Sequence, residues 1–371
     1  MEPTHIEPFD ALVLMSFGGP EREEDVLPFL QNVTRGRGIP DERLVEVGEH
    51  YYGFGGKSPI NGQNRELLAA LQQELKRRGI ATPVLWGNRN WDPFLTDTVR
   101  EFARRTSGSR FLAIDTSAYS SYSSCRQYRE DFARTEQALA EEGLQVSFEK
   151  IRQYYNHPGF AAAQLECVRR GLADLAAQAG TLDPAKHALL YVTHSIPEAM
   201  LQASQRETIG YRAQHEQLMA WIDQQLAGQQ PLTAELVFCS RSGSPQTPWL
   251  EPDINDRLEE LAAAGIEGVV VVPLGFVSDH MEVKYDLDTE AAQTAADLGL
   301  AYVRAATVGV DPVFVSGLVD AVLERAAQVR GEAVEAPAVT AEGALRPGSG
   351  ACSATCCWGS QRKPAAPSWD R

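Results

Sequence analysis

The 371-residue sequence predicts an α/β fold of two doubly wound halves, each a parallel sheet with helices on both faces. Three observations predict it. Runs such as Ala11–Ser16 (ALVLMS) and Val269–Val272 are apolar almost throughout, so both faces of each strand must be covered. Each run leads into a polar or glycine-containing turn and then a stretch of helical periodicity, the alternation that pairs strands in parallel. The pattern then starts afresh beyond Asn156-His157-Pro158.

In order, Ala11–Ser16 ends at Phe17-Gly18-Gly19-Pro20, and Glu23–Asn32 reads as a helix. Strand, glycines and helix are the parts of a phosphate-binding turn, but neither G-x-G-x-x-G nor a Walker lysine is present. In the basic loop Thr34–Gly38, Arg35 and Arg37 are either surface charges or guanidiniums reaching a carboxylate ligand. A helix over Asp41–Tyr52 leads to Gly53–Asn61, a loop too rich in glycine for a helix, with a Ser-Pro that favours an extended turn. Arg65–Arg78 carries Leu67, Leu68, Leu71 and Leu75 on one side. Strand Pro83–Trp86, helix Thr96–Arg104 and strand Arg110–Asp115 follow. Ser117–Tyr128 reads as a loop of hydroxyls and aromatics opening a long helix, and Gln145–Glu149 as the fourth strand.

The second half runs helix Phe160–Gln178, strand Ala188–Thr193 ending in His194, and a long helix Thr208–Leu226. Strand Glu235–Cys239, loop Ser240–Pro252 and helix Asp256–Ala264 lead to Val269–Val272, an acidic helix, strand Ala301–Ala305 and helix Pro312–Val329. From Gly331 the chain turns to Ala, Pro, Gly and Ser without a period, the composition of a linker. The expected division is 9–155 and 156–330 for the two halves, 331–351 for the linker and 352–371 for a cysteine-containing tail.

Hydrophobic content of 43% and charged content of 23% fit a soluble globular protein. MEPTHIEPFD lacks the basic and apolar regions of a signal peptide, and no apolar run approaches a membrane span, so a cytoplasmic location is expected. A formal charge of −16 argues against nucleic acid as a partner. Six cysteines make no disulfide framework, yet Cys352, Cys356 and Cys357 cluster near the end of the chain.

The chemistry concentrates in VPLGFVSDHMEVKYDLDTE, residues 272–290. Glu282, Asp286 and Glu290 recur at intervals of four, on one helix face, with Asp279 and Asp288 nearby. Like charges so spaced repel by roughly 0.2–0.5 kcal/mol per pair, so the face is either solvated or meant to hold something positive. His194 follows a buried strand directly, in YVTHSIP. Alone it reads equally as a structural histidine. Paired with Glu282 at a later strand end, it can bind a divalent transition metal or take protons from a weakly acidic N–H.

LMSFGGP, GGKSPIN, THSIP and PLGFVSDHMEVKYDLDTE, in that order and spacing, resemble the ferrochelatase family over roughly residues 9–330. The resemblance implies two Rossmann-like domains with a porphyrin cleft between them, and insertion of Fe2+, as substrate, into the macrocycle to make haem. It implies that His194 and Glu282 form the insertion site, with Asp286 and Glu290 binding or relaying cations toward it. Ser58 and Tyr128 match positions that contact porphyrin carboxylates or rim, and Phe17 faces the other side of the macrocycle. Many bacterial relatives carry tyrosine there, so a phenolate ligand is not expected.

Within the family, the polar loops Thr34–Gly38 and Ser117–Tyr128 look more like the branch that metallates coproporphyrin, with its four propionates, than the protoporphyrin branch. Arg35, Arg37 and Arg43 suit the additional carboxylates. Porphyrin, ferrous iron and other haem-pathway enzymes are the implied partners. Some ferrochelatases hold a [2Fe–2S] cluster on one internal and three C-terminal cysteines, and Cys352, Cys356 and Cys357 resemble that arrangement in number and place, not in spacing. Of the internal candidates, Cys239 lies in a strand and Cys125 near the porphyrin loop. Cys167 stands off the apolar stripe of its helix and is the expected fourth ligand; zinc on the same thiolates is the alternative.

Overall fold

The computed structural model describes residues 5–36, 38–226, 232–242, 246–340, 353 and 355–357. The chain divides into two compact units that interleave along the sequence: residues 1–116, 128–151 and 319–334 in one, residues 117–127, 152–318 and 335–371 in the other.

The first unit follows the order β1 (Ala11–Ser16), α1 (Glu23–Val33), α2 (Asp41–Tyr52), α3 (Ile60–Arg77), β2 (Val84–Asn88), α4 (Leu95–Thr106), β3 (Arg110–Asp115), α5 (Gln127–Glu141) and β4 (Ser147–Lys150). Its strands pair in parallel in the order β2-β1-β3-β4, with Val13 opposite Leu85 on one side and Ala113 on the other. Every residue of β1 is buried, which is why ALVLMS shows no alternation.

In the second unit come α6 (Pro158–Ala179), β5 (His187–His194), α7 (Glu198–Ser204), α8 (Tyr211–Leu226), β6 (Thr233–Cys239), α9 (Ile254–Ala263), β7 (Gly268–Val272), α10 (Ala292–Asp297) and β8 (Ala301–Arg304). The last helix, α11 (Pro312–Val329), contributes its first turns here and the remainder to the first unit. The sheet order β6-β5-β7-β8 is again parallel, so the same winding occurs twice. On one face of β5 and β7, Leu190, Val192, Val269 and Val271 pack with Val237, Ile254, Leu258, Val283 and Leu287. Each such side chain contributes about 1.5–3 kcal/mol when fully buried. On the other face α6 comes close at Gly171, where a Cβ would lie 2.8 Å from Val270.

Three expected elements differ. Arg65–Arg78 begins earlier, at Ile60, because Ser58-Pro59 starts the helix instead of prolonging the loop. Thr208–Leu226 is shortened to α8, since Gly210, at φ 90°, breaks it from the unanticipated α7. Tyr128 lies in helix α5 and not in a loop. It follows a single π-helical turn over Tyr122–Arg126.

Candidate functional site

In a sheet wound 2-1-3-4, the connections leaving the two central strands part to opposite sides, opening a crevice beyond their carboxyl ends. In the second unit those strands are β5 and β7. His194 is the last residue of β5, and the loop beginning at Pro273 leaves β7.

The His194 Nδ1 is hydrogen-bonded to the Ser195 carbonyl, which turns Nε2 toward Glu282, 3.6 Å from Oε1. The other oxygen of Glu282 lies 3.9 Å from Nδ1 of His280. Burial opposes charge on both partners, but the Glu282 carboxylate outweighs it and holds the His194 imidazole above its ordinary value. Glu282 is likewise held below the usual carboxylate range despite burial, by His194 first and His280 second. The two side chains keep 32% and 47% of their surface, so water screens the attraction and the pair adds little to stability. Its product is a proton held at a defined atom.

His280 escaped the sequence reading although it lies two residues before Glu282. Its ring meets Phe276 edge-on at 5.1 Å, and burial lowers its pKa, aided by the charge of His194.

The acidic stretch is wound as a π-helix over Val283–Ala291 and continues as α10. Val283, Leu287, Ala291 and Ala295 recur every four residues and fill the core. Glu282, Asp286 and Glu290 each precede one of them and so share the edge of that buried stripe. The Ser240 hydroxyl, at the end of β6, donates to the Asp286 carboxylate. Burial pushes that carboxyl up to about 7; the Ser240 bond opposes the rise and the charges of Glu282 and Glu290 add to it. Glu290 is exposed.

Asp279 and Asp288, which the sequence grouped with these acids, belong elsewhere. Arg304, at the end of β8, reaches Asp288 through Nε at 2.7 Å and Asp279 through Nη1 at 3.0 Å. Lys284 holds Asp288 as well, at 2.8 Å. Among the described residues no three His, Cys, Asp or Glu side chains converge as a closed metal site. A cation meeting His194, Glu282 or Asp286 therefore meets an incomplete shell.

A pH prediction follows from Asp286. Protons compete with metal for a carboxylate that titrates near 7, so Zn2+ binding to the purified protein should weaken by on the order of tenfold per pH unit below that point. In Asp286→Asn the part of the dependence centred near 7 should vanish. Calorimetric titration at pH 6, 7 and 8 reads both, and an unchanged slope in the variant would assign the dependence to another group.

In the first unit, Phe17 directly follows β1 and Tyr128 lies in the first turn of α5. Phe17 is 37% exposed and lies edge-on to Phe29, 6.2 Å between centroids. The Arg89 guanidinium sits 5.9 Å from the Phe17 ring and 5.1 Å from that of Tyr128, and Nε meets Asp131 at 2.5 Å. Arg89 was not singled out in the sequence; only its place after a strand, in GNRNW, signalled it. Tyr128 is buried, and burial pushes its phenol up to about 12, with Arg89 pulling the other way. It stays a neutral donor. Ser58 is buried against Gly19, and its Oγ accepts from the Ile60 N–H at 3.4 Å.

Arg35 is exposed, and Arg37 lies outside the described residues. Ile39, Val45 and Phe54 are exposed, and Arg43 is engaged with Glu46 at 2.5 Å.

The expected [2Fe–2S] ligand set is not assembled among the described residues. Cys356 and Cys357 are buried, but Cys167 makes no metal-binding group with them, and Cys352 lies outside the described residues. Burial, then the charge of Asp311, pushes the Cys167 thiol up to about 11. Cys167 is half-buried, beside the buried Leu165 and Val168, and the charged groups acting on it are Asp311, Arg170, Glu166 and Asp279. Zinc on the same thiolates would need the same four cysteines, of which Cys352 lies outside the described residues. Cys239 is a core residue, as expected.

The profile of the family described as Ferrochelatase matches residues 9–326. A relative named coproporphyrin III ferrochelatase from Streptomyces griseus is 51% identical, with 97% of this chain and 96% of that protein covered. One of the same name from Streptomyces coelicolor is 49% identical at the same coverage. Another from Leifsonia xyli is 51% identical over 85% of this chain and 84% of its own. Among solved structures, SirB from Bacillus subtilis with Fe3+ covers 87% of this chain and 98% of its own, at 12% identity and a TM-score of 0.50, a likeness of fold alone.

Proposed function

As the chain belongs to the ferrochelatase family, we propose that it inserts Fe2+ into coproporphyrin III to give the iron complex used in haem synthesis. The observation that carries the reaction is the His194–Glu282 pair at the crevice of β5 and β7. Support for the substrate comes from relatives of about half identity over nearly the whole chain, named for that reaction.

Metallation exchanges two pyrrole N–H protons for one Fe2+. With Nδ1 engaged by Ser195, Nε2 of His194 is the atom that takes each proton. In the free protein Glu282 keeps that nitrogen protonated. An arriving cation neutralises Glu282, the imidazolium loses its support, and the proton leaves. Iron arrival and base activation are then one event. Asp286, titrating near 7, can carry the released proton onward or hand the next cation in. An open shell suits an ion that must move on to four nitrogens. Phe17 offers a ring face to the macrocycle, Ser58 and Tyr128 offer hydroxyl donors, and Arg35 and Arg37 offer guanidiniums to propionates.

No helix among the described residues is long and apolar enough to cross a membrane. A cytoplasmic site of action is part of the same proposal, resting on the reaction and not on that observation. An enzyme consuming the iron–coproporphyrin product is the class of partner this implies.

Turnover of coproporphyrin III and protoporphyrin IX, measured side by side, tests the assignment. A kcat/KM at least tenfold higher for coproporphyrin is expected, on the order of 1.4 kcal/mol from the two additional propionates. Equal values, or preference for protoporphyrin, would place the chain in the other branch.

A further inference from the structure

The ends of β5 and β7 are gripped by α8 and by the segment around Tyr119. Tyr211 opens α8 and is buried. Its hydroxyl lies 2.6 Å from Thr193 Oγ1 and donates to the His194 carbonyl at 3.1 Å. Thr193 is itself confined, since a Cβ on Gly275 would lie 2.0 Å from its Oγ1. The Gly275 N–H donates to the Val192 carbonyl at 3.0 Å, so the loop leaving β7 rides on the last residues of β5.

A second phenol mirrors the first. Tyr119 donates to the Leu274 carbonyl at 2.9 Å, an oxygen that also takes a bond from Gln164 at 3.4 Å. His215 joins the two phenols. Its ring lies flat on Tyr119, 3.6 Å between centroids at 11°, and meets Tyr211 at 4.6 Å and 63°. Nδ1 of His215 donates to the Tyr211 carbonyl at 2.8 Å, while the buried Nε2 has no hydrogen-bond partner among the described residues. Burial lowers the pKa of His215 to about 3, so the ring stacks as a neutral imidazole. The Tyr211 N–H is fixed in turn by Ser204 Oγ at 3.0 Å.

We propose that Tyr211 is a positioning residue for His194. Its hydroxyl fixes the backbone from which the imidazole projects, and His215 and Tyr119 tie that point to the start of the loop that delivers Glu282. The strand ladder already satisfies neighbouring groups: the His194 register partner is Cys239, and the Ser195 N–H donates to the Cys239 carbonyl at 2.8 Å. The phenol adds a fixed point on the His194 carbonyl itself, one residue from the imidazole's own backbone anchor at Ser195. A shift of a fraction of an ångström here moves Nε2 against both Glu282 and the pyrrole nitrogen. The inference rests on the role proposed for His194.

Tyr211→Phe removes the oxygen and keeps the ring. The expected result is a kcat for iron insertion lower by roughly tenfold, a porphyrin KM within about twofold, and displaced His194 side-chain 1H–15N resonances in the ligand-free protein. Thr193→Val should act in the same direction and Thr193→Ser should restore activity, which keeps the test decisive if one variant folds poorly. Unmoved His194 resonances with an unchanged kcat in Tyr211→Phe would overturn the proposal. Should His194→Ala retain turnover, the role of His194 falls instead, and the resonance shift alone then decides whether Tyr211 sets its position.

Discussion

His194→Ala should lower the rate of iron insertion by about 10²–10⁴-fold while the urea midpoint stays close to that of the parent protein. The first half of the expectation comes from geometry. Nε2 is the ring nitrogen left free by the Ser195 carbonyl, and it faces Glu282, the carboxylate whose ionisation it favours. The second half comes from exposure, because a pair with 32% and 47% of its side-chain surface in water contributes little to folding. Glu282→Gln should lose comparable activity by a different route, since the amide cannot support the imidazolium. The sign for His194 is fixed. Its folded pKa is raised, so the small stability it supplies is present at low pH and fades as pH rises through the folded value. Glu282→Gln should therefore move the His194 titration, followed by NMR, to lower pH. Turnover within a factor of two of the parent in His194→Ala would sink the assignment.

Lys150→Met should destabilise the fold more than the substitutions at His194 or Glu282, by about 3–5 kcal/mol. Lys150 and Asp115 are 3% and 1% exposed, at the adjacent ends of β4 and β3, with Nζ 3.1 Å from Oδ1. Nζ also donates to the Ile151 carbonyl at 2.7 Å. The methionine stem fills the same space and leaves the Asp115 charge buried without the lysine's cation. Adding Asp115→Leu should recover most of the loss, because an apolar pair of similar volume needs no desolvation. Urea unfolding of the single and double variants reads the difference. A double variant as unstable as the single would mean that packing, and not the loss of the lysine's cation, governs this position.

The sheets were legible because a fully buried parallel strand leaves a run such as ALVLMS or VVVV that no other element explains. Strand order was not, since β2-β1-β3-β4 depends on which helix crosses which face. At the site, His194 and Glu282 could be found because strand ends concentrate ligand groups. Arg89 and His280 could not, being ordinary polar residues until the fold sets them against Phe17 and Glu282. The acids illustrate the limit best. Intervals of four select Glu282, Asp286 and Glu290, but nothing in the spacing says that Asp279 and Asp288 are already paired. The cysteines show a related limit: a helix-face angle locates Cys167 and says nothing of what approaches it.

Arg304 gives that pairing a consequence for selectivity. Asp279 and Asp288 are hard oxygen donors a short way along the chain from the insertion site, and unpaired they would compete for a divalent ion. With its guanidinium on both, Arg304 neutralises these two carboxylates, so that under the proposed function the cation would meet Glu282, Asp286 and Glu290 instead. Under the proposed function, carboxylates kept neutralised by a guanidinium matter as much to a moving cation as those that would receive it.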